Sequence, residues 1–237
     1  MPAPLFYLPR REPGQGLVVL DTESSRHIAQ VLRMQSGQEL ALTDGKGSRF
    51  QGLIRSVRQG QCQVEILSSA YQPRPNPQVL IAISLLKQPS RWEWFLEKAA
   101  ELGIARIIPL LCERTEKKSF RSERLQSILI SALLQSTQAW LTELHPPQQF
   151  SEFIESASSR VDQRFIAHCG SGSRARLAEA VNPSLNSRLI LIGPEGDFSP
   201  AELMLAAKAD YLAVSLGETR LRSETAGVAA ASLLALA

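Results

Sequence analysis

Three stretches of the 237-residue chain hold residue types whose spacing could do chemistry. The first, residues 190–202 (ILIGPEGDFSPAE), is an apolar run that empties into Gly-Pro-Glu-Gly and then into a helix start. Gly193 and Gly196 let backbone approach a ligand closely, and loops at the carboxyl ends of parallel strands form the usual crevice of α/β proteins. The pattern is not G-x-G-x-x-G and no Walker lysine follows, so dinucleotide and nucleoside-triphosphate binding lack their motifs. The same residues also suit a plain tight strand-to-helix turn. The second stretch, residues 215–237, runs from a strand through a glycine loop into a helix and packs Arg220, Arg222 and Glu224 into five residues. Charge that dense fits an exposed turn before a buried helix. The small residues Ala226, Gly227, Ala229, Ala230 and Ala231 nevertheless allow very close backbone approach, which makes the loop a candidate site. The third, residues 113–126, mixes Arg114, Lys117, Lys118, Arg121 and Arg124 with acids. It reads either as a solvated helix start or as a grip for RNA phosphates.

Metal chemistry has no foothold. His27, His145 and His168 show no i, i+4 pairing and no neighbouring Cys or carboxylate at ligand spacing. Cys62, Cys112 and Cys169 are odd in number and far apart, so the expectation is buried free thiols, without a disulfide framework or a metal site.

The elements that must position these stretches fall into two parts. Residues 70–78 (AYQPRPNPQ) carry three prolines in five residues, which rules out a regular helix or central strand and reads as a linker. Before it, short alternating stretches such as 38–44 and 62–67, separated by Gly45, Gly47, Gly52 and Gly60, predict a small β-barrel interrupted by one helix over about residues 24–33. After it, apolar runs at 79–86, 104–111, 164–168, 188–192 and 211–216 alternate with helical patterns, predicting an α/β domain with a mainly parallel sheet. Ser90 with Glu93, and Ser199 with Pro200 and Glu202, fit capping boxes, and Gly103 closes the first of these helices. The expected domains are residues 1–72 and 73–237.

With 44% apolar residues the chain can bury a substantial core. Its longest apolar runs are too short to cross a bilayer and the N-terminus lacks a signal-peptide pattern, so no membrane association and a cytoplasmic location are expected. The net charge is +3; residues 1–78 carry nine Lys/Arg against six Asp/Glu, and the remainder carries seventeen of each. The excess thus sits in the first part, where it suits a phosphate-facing surface.

The two glycine loops, in this order near the C-terminus, together with residues 87–110 (KQPSRWEWFLEKAAELGIARIIPL) and 221–226 (LRSETA), resemble the ribosomal RNA small subunit methyltransferase E family of the SPOUT class. Residues 27–47 look like that family's PUA-like RNA-binding domain. The resemblance implies a trefoil-knotted α/β domain with a mainly parallel sheet, preceded by the PUA-like β-barrel. It also implies S-adenosylmethionine as methyl donor, N3 of a uridine in 16S rRNA of the small ribosomal subunit as target, and a homodimer. On this pattern His168, Ile192, Gly193, Pro194, Glu195, Gly196, Leu216, Gly217, Leu221, Arg222 and Thr225 would surround the cofactor. Arg222 would orient the uracil or stabilise its anion; Glu224 would accept a proton or hold Arg222. Ser223 and Thr225 also suit capping of the following helix. Arg10, Arg26, Arg33, Arg114, Lys117, Lys118 and Arg121 would face RNA phosphates.

The sequence departs from the family at 134–138 (LQSTQ), where Glu-Gln-Ser-Gly-Arg is usual, and at Asp197, where a second glycine is common. Other readings are a knotted RNA-binding protein without catalysis that acts in ribosome assembly, and a related methyltransferase with another RNA target.

Overall fold

The computed structural model describes the chain except residues 1, 2, 13, 59, 117, 118, 158–160 and 171–173. Two compact units emerge. One comprises residues 1–74 with Leu133–Leu141, the other Pro75–Ala132 with Thr142–Ala237. The segment 133–141, far beyond the proline run, thus packs with the N-terminal unit.

The first unit holds β1 (Leu5–Tyr7), β2 (Leu17–Val19), α1 (Thr22–Arg26), a π-helical turn (His27–Val31), β3 (Glu39–Thr43), β4 (Ser48–Arg58) and β5 (Gln61–Tyr71). The strands form one sheet in the order β1-β3-β4-β5-β2, antiparallel except for β1 beside β3. Alternation sends Leu40, Leu42, Phe50, Ile54, Cys62 and Val64 into a core closed by Ile28. The expected helix over 24–33 starts two residues earlier, because the Asp21 carboxylate caps the Ser24 amide, and its second half is π-helical. β4 and β5 are eleven residues each, longer than the glycine-punctuated runs suggested; Gly52 lies inside β4 at a register shift, where a Cβ would come within 2.4 Å of Val64.

The second unit holds β6 (Gln78–Ser84), α2 (Pro89–Glu101), β7 (Arg106–Leu111), α3 (Ser122–Gln135, its last turn in the first unit), β8 (Glu143–Leu144), β9 (Gln148–Gln149), α4 (Phe150–Ala157), β10 (Gln163–Ala167), β11 (Ala175–Arg176), α5 (Leu177–Ala180), β12 (Ser187–Ile192), α6 (Pro200–Lys208), β13 (Leu212–Ser215) and α7 (Ser223–Leu236). The sheet runs β11-β13-β10-β12-β6-β7-β8 with β9 beside β7, and every ladder is parallel. The five apolar runs read from sequence are β6, β7, β10, β12 and β13. Central strands buried on both faces must be apolar throughout, and Ile81, Ala82 and Ile83 of β6 are fully buried. One face packs Phe150, Phe153, Phe198 and Tyr211 against Ile108, Ile166 and Leu191. The other carries α7, which meets α2, β6 and β12.

Small residues let α7 lie there: a Cβ on Gly227 would fall 2.6 Å from the Phe95 ring. The far end of α7 is held by Arg188, fully buried on β12, whose Nη1 donates to the carbonyls of Leu234 at 2.5 Å and Ala237 at 3.1 Å. A cation on a helix C-terminus complements its dipole, although burial disfavours the charge. At its start α2 is capped differently from expectation. Gln88 is the N-cap and Pro89 the first helical residue, which places Ser90 inside the helix and leaves no side-chain cap. Gly103 ends the helix at φ 75°, with Gly103 and Ile104 donating back to Ala100 and Ala99.

Candidate active site

β10, β12 and β13 are adjacent and parallel, so their carboxyl ends open on one edge of the sheet. The loops that follow them enclose a cleft of about 570 Å³, within the range of small-molecule sites. Its wall alternates apolar residues (Ile192, Val214, Leu216, Leu221) with three guanidinium groups (Arg174, Arg220, Arg222) and three carboxylates (Glu195, Asp197, Glu218).

The loop after β12 is fixed from several sides. Gly193 is buried with the Phe198 ring only 3.1 Å from where a Cβ would project, so a side chain there would push the loop off α6. Ser199 and Glu202 form the expected capping box, with Pro200 at the first helical position. The other Glu202 oxygen accepts the Glu113 amide at 2.8 Å, tying the exit of β7 to the start of α6. Asp197 adopts φ 64°, accepts the Phe198 amide at 2.8 Å with Oδ1, and accepts the Cys169 amide at 2.8 Å with Oδ2. Arg114 reaches across to donate to the Gly196 carbonyl at 2.8 Å. Lys87 donates its amide to Glu195 at 3.2 Å.

The loop after β13 turns on Ser215, whose hydroxyl donates to the Gly217 carbonyl at 2.8 Å and accepts the Gly217 amide at 3.2 Å; Gly217 sits at φ 153°. Glu218 pairs with Arg176 at 3.0 Å. Arg222 is the N-cap of α7 and offers no side-chain cap, so Ser223 and Thr225 are helical residues and not the caps the sequence suggested. Two residues further on, Glu224 is buried and pairs with Arg91 of α2 at 3.5 Å, its Oε2 without a partner among the described residues.

The wall after β10 is His168. Its Nδ1 accepts the Gly170 amide at 3.1 Å and its carbonyl accepts a hydrogen bond from Arg174. Burial, helped by the Arg174 charge and opposed by Asp197, lowers its pKa below the ordinary 6.5. The ring is therefore neutral near pH 7, an uncharged surface beside the cleft.

Of the residues singled out in the sequence, His168, Ile192, Gly193, Pro194, Glu195, Leu216, Gly217, Leu221 and Arg222 line this cleft. Gly196, Thr225 and Glu224 do not: Gly196 faces Arg114, Thr225 is exposed, and Glu224 turns to α2. Of the residues proposed to face RNA, Arg10 lines a separate cleft on the first unit, Arg26, Arg33 and Arg121 are exposed, and Arg114 holds Gly196. Lys117 and Lys118 lie outside the described residues. Arg220, marked in the sequence by the dense charge of its loop, and Asp197, an acid in a glycine position, also line the cleft, as do Arg174 and Ser215, which carried no sequence signal. Cys62 and Cys112 are buried, but Cys169 is exposed at the cleft, against the expectation of three buried thiols.

Residues 73–235 match the family model of an RNA methyltransferase domain, and residues 20–67 that of an RNA methyltransferase PUA domain. Fold and site together thus define an RNA methyltransferase of the SPOUT-type α/β fold with a PUA-like domain ahead of it. A ribosomal RNA small subunit methyltransferase E of Synechocystis sp. is 31% identical over 215 residues, spanning 90% of this chain and 70% of the relative. The ribosomal RNA small subunit methyltransferase E of Neisseria gonorrhoeae, solved bound to S-adenosylmethionine, is 28% identical, covers 98% of this chain and 96% of its own, and superposes with a TM-score of 0.87. A Legionella pneumophila protein solved with bound S-adenosylmethionine is 30% identical, covers 99% and 97%, and has a TM-score of 0.85. The chain belongs to the ribosomal RNA small subunit methyltransferase E family.

Proposed function

We propose that this chain transfers a methyl group from S-adenosylmethionine to N3 of a specific uridine in 16S rRNA, acting as a cytoplasmic homodimer on the RNA or the small ribosomal subunit. The observation that carries the reading is the cleft at the carboxyl ends of β10, β12 and β13, with Arg222 on its wall. The strand order also suits a trefoil knot: the chain leaves β13 through the cleft loop and returns across β12 to pack α7 on β6.

The residues fit the cofactor. Three guanidinium groups balance three carboxylates, which suits a zwitterionic ligand better than a polyphosphate, and Ile192, Val214, Leu216 and Leu221 offer an apolar bed for a base. Gly193 gives a close backbone approach. When bound, S-adenosylmethionine supplies a methyl group already activated on a sulfonium, so the protein's tasks are alignment and proton removal. Neutral His168 adds no positive charge beside the sulfonium. Arg222 presents a planar donor fork to the uracil carbonyl oxygens and stabilises the anion as the N3 proton leaves. The cleft carboxylates are engaged: Asp197 with two amides, Glu195 with the Lys87 amide and Glu218 with Arg176. Glu224 pairs with Arg91. We assign the N3 proton to water rather than to these carboxylates; when bound, the sulfonium would supply the methyl group, and the N3 electron pair left by the departing proton would go into the new N–CH3 bond.

The test is calorimetric titration with S-adenosylmethionine of the wild type and of Ala226→Trp, which adds bulk to the cleft wall from a helical backbone position. Binding lost only in the folded variant supports the site; a wild type that binds none overturns it. Primer extension on 16S rRNA then reads the position, since N3 methylation blocks Watson–Crick pairing. Methyl incorporation elsewhere would overturn the uridine assignment and leave the cofactor site standing.

A further inference from the structure

The first unit carries a second cleft, of about 800 Å³, whose chemistry the methyl-transfer site does not use. Its wall includes Arg10, Arg11, Lys46, Phe50 and Tyr71. Arg11 lies with its guanidinium carbon 5.0 Å from the centre of the buried Phe50 ring, and its Nε donates to the Gln15 carbonyl at 2.9 Å. The flat cation is thus held in place rather than waving in solvent. Tyr71, at the end of β5, is 67% exposed, a large aromatic surface left open to water. It is braced edge-on by Trp140, with ring centroids 6.1 Å apart and planes at 81°.

Trp140 is itself locked. Its Nε1 donates to the Gln72 carbonyl at 2.9 Å, and the Arg74 guanidinium stacks 4.5 Å over its ring. Gly47, at φ 97°, makes room: a Cβ there would lie 2.5 Å from the indole. Of the two carboxylates in the cleft, Asp44 is occupied with the amides of Lys46 at 2.7 Å and Ser48 at 3.0 Å. Three cations against two acids leave the wall net positive.

A rigid, exposed aromatic face beside a fixed guanidinium plane and two further cations is the chemistry that takes an unpaired nucleotide, with the base stacked and the phosphates neutralised. We infer that this cleft binds a single-stranded nucleotide of the RNA, its base on Tyr71 and its phosphates on Arg10 and Lys46. The inference rests on the reading that the chain acts on RNA. It adds that the first unit holds unpaired RNA by stacking and does not merely attract duplex by charge.

The full-length chain is titrated by fluorescence anisotropy with a labelled short oligouridylate and with a labelled RNA duplex, for wild type, Tyr71→Ala, Tyr71→Phe, Tyr71→Leu and Lys46→Ala. Circular dichroism melting checks that each variant is folded. Loss of stacking in Tyr71→Ala weakens single-strand binding about tenfold, with the slope of affinity against salt unchanged. Tyr71→Phe keeps the affinity, and Tyr71→Leu, which keeps apolar area without a flat face, loses it. Lys46→Ala lowers the salt slope by about one phosphate contact. Single-strand affinity unchanged in folded Tyr71→Ala, or equal losses for single strand and duplex, overturns the stacking site while the RNA reading stands. A wild type that binds neither RNA overturns both.

Discussion

Asp197 accepts the Cys169 amide at 2.8 Å, so one carboxylate on the loop after β12 holds the turn that follows β10. The same side chain accepts the Phe198 amide while its backbone sits at φ 64°, a conformation that glycine adopts freely and that Asp tolerates better than most residues. In a conformation that glycine would adopt freely, this chain exchanges backbone freedom for a tether across the cleft. Replacing Asp197 by Gly keeps the conformation and removes the tether. With a net hydrogen bond worth about 1 kcal/mol, affinity for S-adenosylmethionine should weaken about fivefold by calorimetry. Asp197→Asn, still an acceptor, should lose less; equal affinity in all three chains would remove the tether from the account of the site.

His168 sets a pH dependence. Its folded pKa lies below the ordinary 6.5, through burial and Arg174, and that of His145 is lowered by burial and Arg106. The unfolded chain takes up these protons first, so their contribution to stability is complete above about pH 6.5 and declines as pH falls through the folded values. Melting temperature should drop from about pH 7 to about pH 5, above the range where carboxylates such as Glu93, lowered by Arg124, begin to protonate. His168→Gln should flatten that drop; an unchanged slope would place the proton uptake elsewhere.

Glu224 and Arg91 form a partly buried ion pair. Removing Arg91 strands a carboxylate with one oxygen already unpartnered and should cost about 1–3 kcal/mol in chemical denaturation. Glu224→Gln should cost less, and the double variant should show coupling rather than a simple sum. Because this pair holds α7 and does not face the cleft, Glu224→Gln should leave methyl transfer at saturating cofactor within about threefold, far short of the hundredfold or greater loss typical of removing a general base. A loss of that size would return Glu224 to the proton-transfer role.

Thr137 ends α3 at φ 53°, with Thr137 and Gln138 donating back to Leu134 and Leu133. This is the left-handed helix-ending position, where a β-branched residue is strained. It coincides with the glycine of the family's Glu-Gln-Ser-Gly-Arg. Thr137→Gly should stabilise the protein by about 1 kcal/mol, seen as a rise of about 2–4 °C in melting temperature. No rise would mean that the Thr137 side chain makes up for its backbone.

The central sheet was legible in the sequence because β6, β7 and β12 are buried on both faces and read as unbroken apolar runs, while β10 and β13, less completely buried, still read as short apolar runs. The two-residue strands β8, β9 and β11 are too short to carry a period. The split of the first part into short strands failed where Gly52 occurs inside β4 rather than between strands, with a register shift absorbing it. At the site, glycines and the capping box marked both loops, whereas the tether from Asp197 and the wall from Arg174 arise between loops distant in sequence. Neighbouring Arg222 and Glu224 suggested a pair, but residues two apart at a helix start point to different sides. Tertiary packing decided that Glu224 turns to Arg91.

The position of β6 has a kinetic meaning. It lies between β7, reached after one helix, and β12, whose Ser187 aligns with Gln78 more than a hundred residues earlier. A sheet whose middle strand waits for so remote a partner has high contact order, and such domains search slowly for their native pairing. Until β12 arrives, one edge of β6 with its buried-type residues Ile81 and Ile83 stays unpaired, and an open apolar edge invites association between chains. Pairing of β12 with β6 therefore does more than extend the sheet: it closes the apolar edge most open to association between chains.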